Sequence, residues 1–263
     1  MPKKLLSTNK KPNAVKSIFR AANILACIGR GVNSITEIAE NCELSKSTVH
    51  RFLKTLEETR IVWQNPVTHQ YYLGDLITQF ISDPKTTHEH VLVCADEEMT
   101  RLAKVTEETI SLGLMIGIKY IGLHTVPSSH ELRVVEDNSR RIRSIYAGAT
   151  GKMLLAQLNG KDLKIVMENI HFEPVTEDIT FNKAELMAQL KRIRRQGYAT
   201  TCGERIPGAM CLSAPITNYI LPVALSILGP ETRIKPKMED FLQNLLFSCT
   251  RISANIKKNF EFT

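Results

Sequence analysis

No apolar stretch in the sequence approaches the roughly 18–20 residues that a bilayer-crossing helix needs. The two longest apolar runs, 110–118 and 220–228, are ended by Lys119 and interrupted by Pro222. The opening residues, MPKKLLSTNKK, are basic but lack an apolar core and a small-residue cleavage site. They do not read as a secretory signal, so the expected location is cytoplasmic, with no membrane partner. Six cysteines (Cys27, Cys42, Cys94, Cys202, Cys211 and Cys249) are scattered without a CxxC pair, against a disulfide framework or a structural zinc site. His88-Glu89-His90 has metal-ligating residue types but neither HExxH spacing nor a third ligand, and reads as the solvated start of a helix. There is no GxSxG elbow, Walker loop or GxGxxG. No catalytic residue, metal or cofactor is expected.

What is present is ordinary in amount and uneven in placement. The 263 residues are 43% hydrophobic and 23% charged, average for a globular protein, and long enough for one large domain or two. Residues 1–75 hold 11 Lys+Arg against 6 Asp+Glu, whereas residues 76–263 hold 23 against 21. A basic module attached to a nearly neutral body favours a polyanionic partner for the first part.

Helical spacing and capping residues organise that first part. Asn13 is placed to cap a helix carrying Val15, Ile18, Ala22, Leu25 and Ile28 on one face, stopped by Gly29 and Gly31. Ser34 and Glu37 fit a capping box that opens a short helix burying Ile35, Ile38 and Ala39. After a break at 42–45, Ser45 caps a third helix, with Leu44 and Val49 as a hydrophobic staple. Val49, Phe52, Leu53 and Leu56 face the core, while Lys46, Ser47, His50, Arg51 and Lys54 lie opposite. Two β-prone runs, 61–63 and 70–73, flank a turn-rich connection that would bring His69 and Gln70 near a phosphate backbone or minor groove. This is the pattern of a winged helix-turn-helix. The expected DNA-binding residues are Thr36, Ser45, Lys46, Ser47, Thr48, His50, Arg51, Lys54 and His69, helped by a basic arm carrying Lys3, Lys4, Lys10 and Lys11.

The stretch ELSKSTVHRFLKTLE, within residues 15–74, resembles the DNA-binding domain of the IclR family of bacterial transcriptional regulators. Four later landmarks extend the likeness in order: Glu107 to Gly113, Tyr146 to Ala156, Gly197 through Glu204 to Pro215, and Ala224 to Pro230. The resemblance implies an α+β protein: an N-terminal winged helix-turn-helix domain, a linker helix and a C-terminal GAF-like α/β effector domain with an antiparallel sheet. It also implies a homodimer or homotetramer that binds double-stranded operator DNA and answers to a small-molecule effector. The corresponding boundaries are an arm at 1–12, the DNA-binding domain at 13–74, a linker and hinge at 75–90, and an effector-binding and oligomerisation domain at 91–263. Within the last, expected strands are 109–115, 120–126, 133–135, 197–202, 210–216 and 222–228. Expected helices are 91–104, 151–158, 161–167, 183–196 and 237–257. The basic run Arg133, Arg140, Arg141 and Arg143 reads as a solvated loop.

Carried over by the resemblance, Ala149, Thr150, Thr201, Cys211, Ser226 and Leu228 would bind the effector. Ala149 and Thr150 would offer backbone N–H groups at a helix start. Relatives that bind small acids often carry an acidic residue near Thr201 and a second serine at Leu228. Their absence implies an effector with a larger apolar part, such as an aromatic carboxylate. The family resemblance, for its part, implies a repressor of a catabolic pathway in preference to an activator. Two other function classes use the same chain differently. A redox-responsive regulator would work through Cys202 and Cys211; a small-molecule-transforming enzyme would need one of those thiols beside His124.

Overall fold

A computed structural model describes residues 15–80, 84–134, 142–170, 172 and 182–259. The basic arm, Asn13, Asp83, Val135, Arg140 and Arg141 lie outside the described residues. The chain divides into two compact units, Met1–Thr87 and His88–Thr263.

The first unit contains α1 (Lys16–Ile28), α2 (Ile35–Cys42), α3 (Lys46–Glu58), a hairpin of β1 (Val62–Gln64) and β2 (Tyr71–Leu73), α4 (Asp75–Phe80) and α5 (Pro84–Thr87). Its core is built from Ile24, Ile28, Ile38, Val49, Leu53, Leu56, Val62 and Tyr71. The hydroxyl of Ser34 accepts from Glu37 N–H and donates to the Glu37 carboxylate, at 3.2 and 2.7 Å. Glu43 then takes a left-handed conformation at φ 55° and turns the chain into Leu44 and Ser45. In α1 the expected stripe is displaced. The helix starts at Lys16, with Val15 at the cap position and no side-chain cap. Val15 and Ile18 are exposed, because the buried positions Ile24 and Ile28 lie in the C-terminal half of the helix, against α2 and the hairpin.

The second unit is built on one antiparallel sheet in the order β5-β4-β3-β8-β7-β6. Its strands are β3 (Thr109–Ile116), β4 (Lys119–Val126), β5 (Ile142–Arg143), β6 (Ala199–Cys202), β7 (Ala209–Ile216) and β8 (Val223–Pro230). The helices are α6 (Glu89–Thr106), α7 (Ala149–Ala156), α8 (Gly160–Asn169), α9 (Lys183–Gln196), α10 (Glu231–Ile234) and α11 (Met238–Asn259). Period-two alternation sends Val223, Leu225 and Ile227 into a core with α6 and α11. Ala224 joins the other core, with α7, α8 and α9. Ser226 and Leu228 share that face by alternation.

Three expectations change here. Residues 133 and 134 are not a strand, and the short pairing strand is β5, which takes Arg143 into register with Tyr120 rather than leaving it in a loop. The stretch 75–90, expected as linker and hinge, holds α4, α5 and the first residues of α6, and the division between the units falls within it. His88 is buried, not solvated, and its Nδ1 lies 2.6 Å from the Tyr219 hydroxyl. The His90 ring stands 5.0 Å from the Tyr219 ring.

Burial pushes His88 and His90 below the usual histidine range, and the proximity of His90 adds to the effect at His88. The unfolded chain therefore binds more protons than the folded one as pH falls through about 6.5, and stability is lost in that direction. Thermal unfolding of the full chain is expected to show this loss between pH 7.5 and 5.5. A His88→Gln/His90→Gln variant should flatten it; an unchanged slope would assign the acid sensitivity to other groups.

Candidate functional site

The exposed side of α3 is set by its cap. Ser45 Oγ accepts the Thr48 N–H at 3.2 Å and also lies 2.8 Å from Thr48 Oγ1 and 3.0 Å from Ser47 Oγ. With Val49, Leu53 and Leu56 drawn into the core, Lys46, Ser47, His50, Arg51 and Lys54 are exposed together on the rest of the helix. Thr48 is half-buried and Thr36 is exposed on α2. The first turn of α3 has no acidic residue and begins with Lys46, so its partial positive charge is reinforced rather than offset. Such a terminus is suited to an anion. Lys54 reaches the Glu57 carboxylate only at 3.8 Å, an exposed pair worth little.

The hairpin is fixed at its turn end. Tyr71, buried, donates its N–H to Asn33 O at 2.9 Å. In the connection, Asn65 Oδ1 accepts from Val67 and Thr68 N–H groups, which closes a side-chain turn. His69 is exposed at the end of that turn with φ 54°. Trp63 and Tyr72 stack across the strands, with ring centroids 5.3 Å apart.

In the second unit the register brings the carried-over effector residues onto one face of the sheet beneath α7. Thr201 pairs with Cys211, Cys211 with Leu228, and Ser213 with Ser226. Thr150 Oγ1 lies 2.8 Å from Ser226 Oγ, which donates to Ser213 Oγ at 2.9 Å, and 3.9 Å from Cys211 Sγ. Ser111 extends the row, because it stands opposite Ser226 on β3. The sequence reading missed Ser111 and Ser213, since only the lateral register of β3, β8 and β7 places them beside Ser226. Of the two N–H groups expected to be open, that of Ala149 is not, since it donates to Thr201 Oγ1 at 3.0 Å; the preceding Gly148 N–H donates to Glu204 Oε2 at 2.9 Å. The other Glu204 oxygen is bound by Lys152 Nζ. Lys152 is 2% exposed. Burial lowers its pKa from the usual lysine range, while Glu204 opposes that shift. Both residues lie within the motifs singled out above, but their pairing across 52 positions has no local signal.

The rival classes meet geometric obstacles. Cys202 pairs with Met210, so it faces opposite to Cys211, which pairs with Thr201. A bond between them would require β6 and β7 to separate. His124 on β4 is three strands from Cys211, about 14 Å at the usual strand spacing. The thiols that do approach each other are Cys27 and Cys42, at 3.6 Å. Burial and the Cys27 contact push the Cys42 thiol up to about 12, which keeps it protonated and a poor nucleophile. Among the described residues no group of three or more His, Cys, Asp or Glu could hold a metal ion. No helix among them is long and apolar enough to cross a membrane.

A capped helix-turn-helix with a wing, followed by a unit whose sheet and buried helix converge on a polar cluster, defines a two-domain DNA-binding regulator. Comparison with known proteins gives the family: residues 17–66 match the IclR helix-turn-helix domain, and residues 85–254 match the C-terminal domain of the bacterial transcriptional regulator IclR. The chain belongs to the IclR family of transcriptional regulators. It is similar to the HTH-type transcriptional regulator KdgR of Escherichia coli, with 27% identity over 252 residues, 94% of this chain and 95% of that protein. The crystal structure of the Thermotoga maritima IclR is similar with a TM-score of 0.60 and 25% identity, covering 92% of this chain and 98% of that one. An IclR homolog from Microbacterium hydrocarbonoxydans, complexed with 4-hydroxybenzoate, shares the fold: TM-score 0.58, 18% identity, 92% of this chain and all of that one.

The close seating of α7 depends on Gly151, where a Cβ would collide with the Ile145 carbonyl oxygen. Gly151→Ala is expected to cost about 1–3 kcal/mol, the usual range for overpacking. Urea unfolding of the second unit would register it, and wild-type stability would mean that α7 can shift freely.

Proposed function

We propose that the chain is a ligand-responsive repressor of a catabolic pathway, acting on operator DNA as a homodimer or homotetramer. The observation that carries the DNA-binding assignment is the exposed side of α3, where Lys46, Ser47, His50, Arg51 and Lys54 lie on a helix whose first turn lacks acidic residues. In this reading α3 enters the major groove and Arg51 reads a base edge. Ser45, Ser47 and Thr48 sit near phosphates, Thr36 supports them from α2, and His69 reaches the backbone from the wing. Two copies would present their α3 helices to half-sites about one DNA turn, ~34 Å, or a multiple of it apart.

The effector assigned to the second unit is a small organic acid with an apolar body, most simply an aromatic carboxylate. Support comes from the residues around the α7 start: Thr201 and Leu228 are less polar than an acid and a serine would be, and Lys152 supplies a buried positive charge. The related protein holding 4-hydroxybenzoate makes that compound the natural first probe. Ala149, Thr150, Thr201, Cys211, Ser226 and Leu228 surround the ligand in this reading. DNA and ligand are then linked, each changing the affinity of the other by the same factor, typically about 5–150-fold.

Selection of bound genomic fragments followed by footprinting would identify the operator. On that site Arg51→Ala is expected to weaken binding by about 1–3 kcal/mol with little change on random DNA. Equal losses on both would make Arg51 a phosphate contact. Titration calorimetry on the full chain should show 4-hydroxybenzoate or benzoate binding more tightly than glyoxylate or pyruvate. The reverse order would remove the aromatic assignment while leaving the DNA-binding one intact.

A further inference from the structure

The start of α7 and the buried lysine one turn further on present two donors to a single carboxylate, and that carboxylate belongs to the chain. Glu204 accepts the Gly148 N–H with one oxygen and the Lys152 ammonium with the other. Lys152 has almost no solvent contact, so its charge requires an anion beside it. The anion is supplied by neither a strand nor a helix but by the turn 203–208 between β6 and β7. Gly203 and Gly208 bound that turn with φ of +68° and +74°, and a Cβ on either would meet nothing within 4 Å. Those glycines answer a backbone requirement, not a packing one. The adjacent Arg205 lays its aliphatic stem over Gly148, where a Cβ would stand 2.8 Å from Arg205 Cδ.

We propose that Glu204 is a built-in occupant of the effector's anion seat, displaced when a carboxylate ligand takes over the Gly148 N–H and the Lys152 ammonium. The proposal rests on the pocket assignment made above and specifies how that pocket recognises charge. Exchanging one carboxylate for another keeps Lys152 neutralised throughout, while Glu204 passes to water. A neutral ligand of the same shape would leave the buried ammonium without its carboxylate, so the seat selects anions by the cost of removing Glu204. Displacement also has an outlet. The Gly208 carbonyl at the end of the turn accepts the Glu231 N–H at 2.8 Å, which starts α10 and leads into α11. Release of Glu204 therefore loosens a turn tied to the C-terminal helices.

The experiment uses the full chain and titrates formate, benzoate and neutral benzamide by calorimetry. Glu204→Gln keeps the side-chain shape but removes the competing charge. It should bind formate and benzoate about tenfold or more tighter than the wild type, with benzamide unimproved. Lys152→Met/Glu204→Gln, which removes both charges, should lose that gain. Equal or weaker anion binding by Glu204→Gln overturns the proposal. If the gain is seen but benzoate binds no better than formate, the displacement mechanism stands and the aromatic assignment fails. Hydrogen exchange on the wild type gives a reading independent of the variants' folding. Formate or benzoate at high concentration should speed exchange across 203–208, and protection that is unchanged or increased with both anions overturns the proposal.

Discussion

Lys152 confronts the second unit with a positive charge that cannot reach water, and much of the surrounding architecture answers that demand. Its helix, α7, is buried at all eight positions, so its polar groups must find partners inside the protein. Glu204 and Thr201 satisfy the N–H groups at the entry, Thr150 turns its hydroxyl to Ser226, and Gly151 lets the helix lie against Ile145 without a side chain between them. The row formed by Ser111, Ser226 and Ser213 places small polar groups under the helix where larger apolar ones would force it away. Packing and polarity are therefore set by the same few residues.

The first unit solves a different electrostatic problem. A helix start ordinarily gains from a nearby carboxylate, and α2 has one in Glu37. The start of α3 has a serine cap and a lysine instead. A capped helix with uncompensated positive charge holds its shape without satisfying its electrostatics, which leaves that part of the interaction for a polyanion to complete. The excess of basic residues in the first 75 positions thus has a location, although its arm lies outside the described residues.

Local chemistry was legible wherever it acted over a few residues. Ser34 and Ser45 cap the helices that their spacing predicts, α9 runs over Lys183–Gln196, and most strands lie within two residues of their expected limits. The failures have physical causes. The stripe in α1 has the right period but is covered only near its C-terminal end, so Val15 and Ile18 are exposed. His88 looks like a solvated residue until Tyr219, 131 positions away, meets it in the fold. β5 has two residues and no alternation to detect. The candidate effector site was legible only as separate motifs. The partnership of Lys152 with Glu204, and the alignment of three serines on three strands, come from tertiary register.

The hairpin carries one more property. Trp63 is the sole tryptophan in the sequence, and it sits on β1, part-exposed and stacked on Tyr72. Indole emission from this protein thus originates entirely in the first unit, whichever unit is perturbed. An optical signal that responds to a small molecule seated near α7 would have crossed from one unit to the other. The chain thereby carries its own reporter of communication between its parts, with no dye attached.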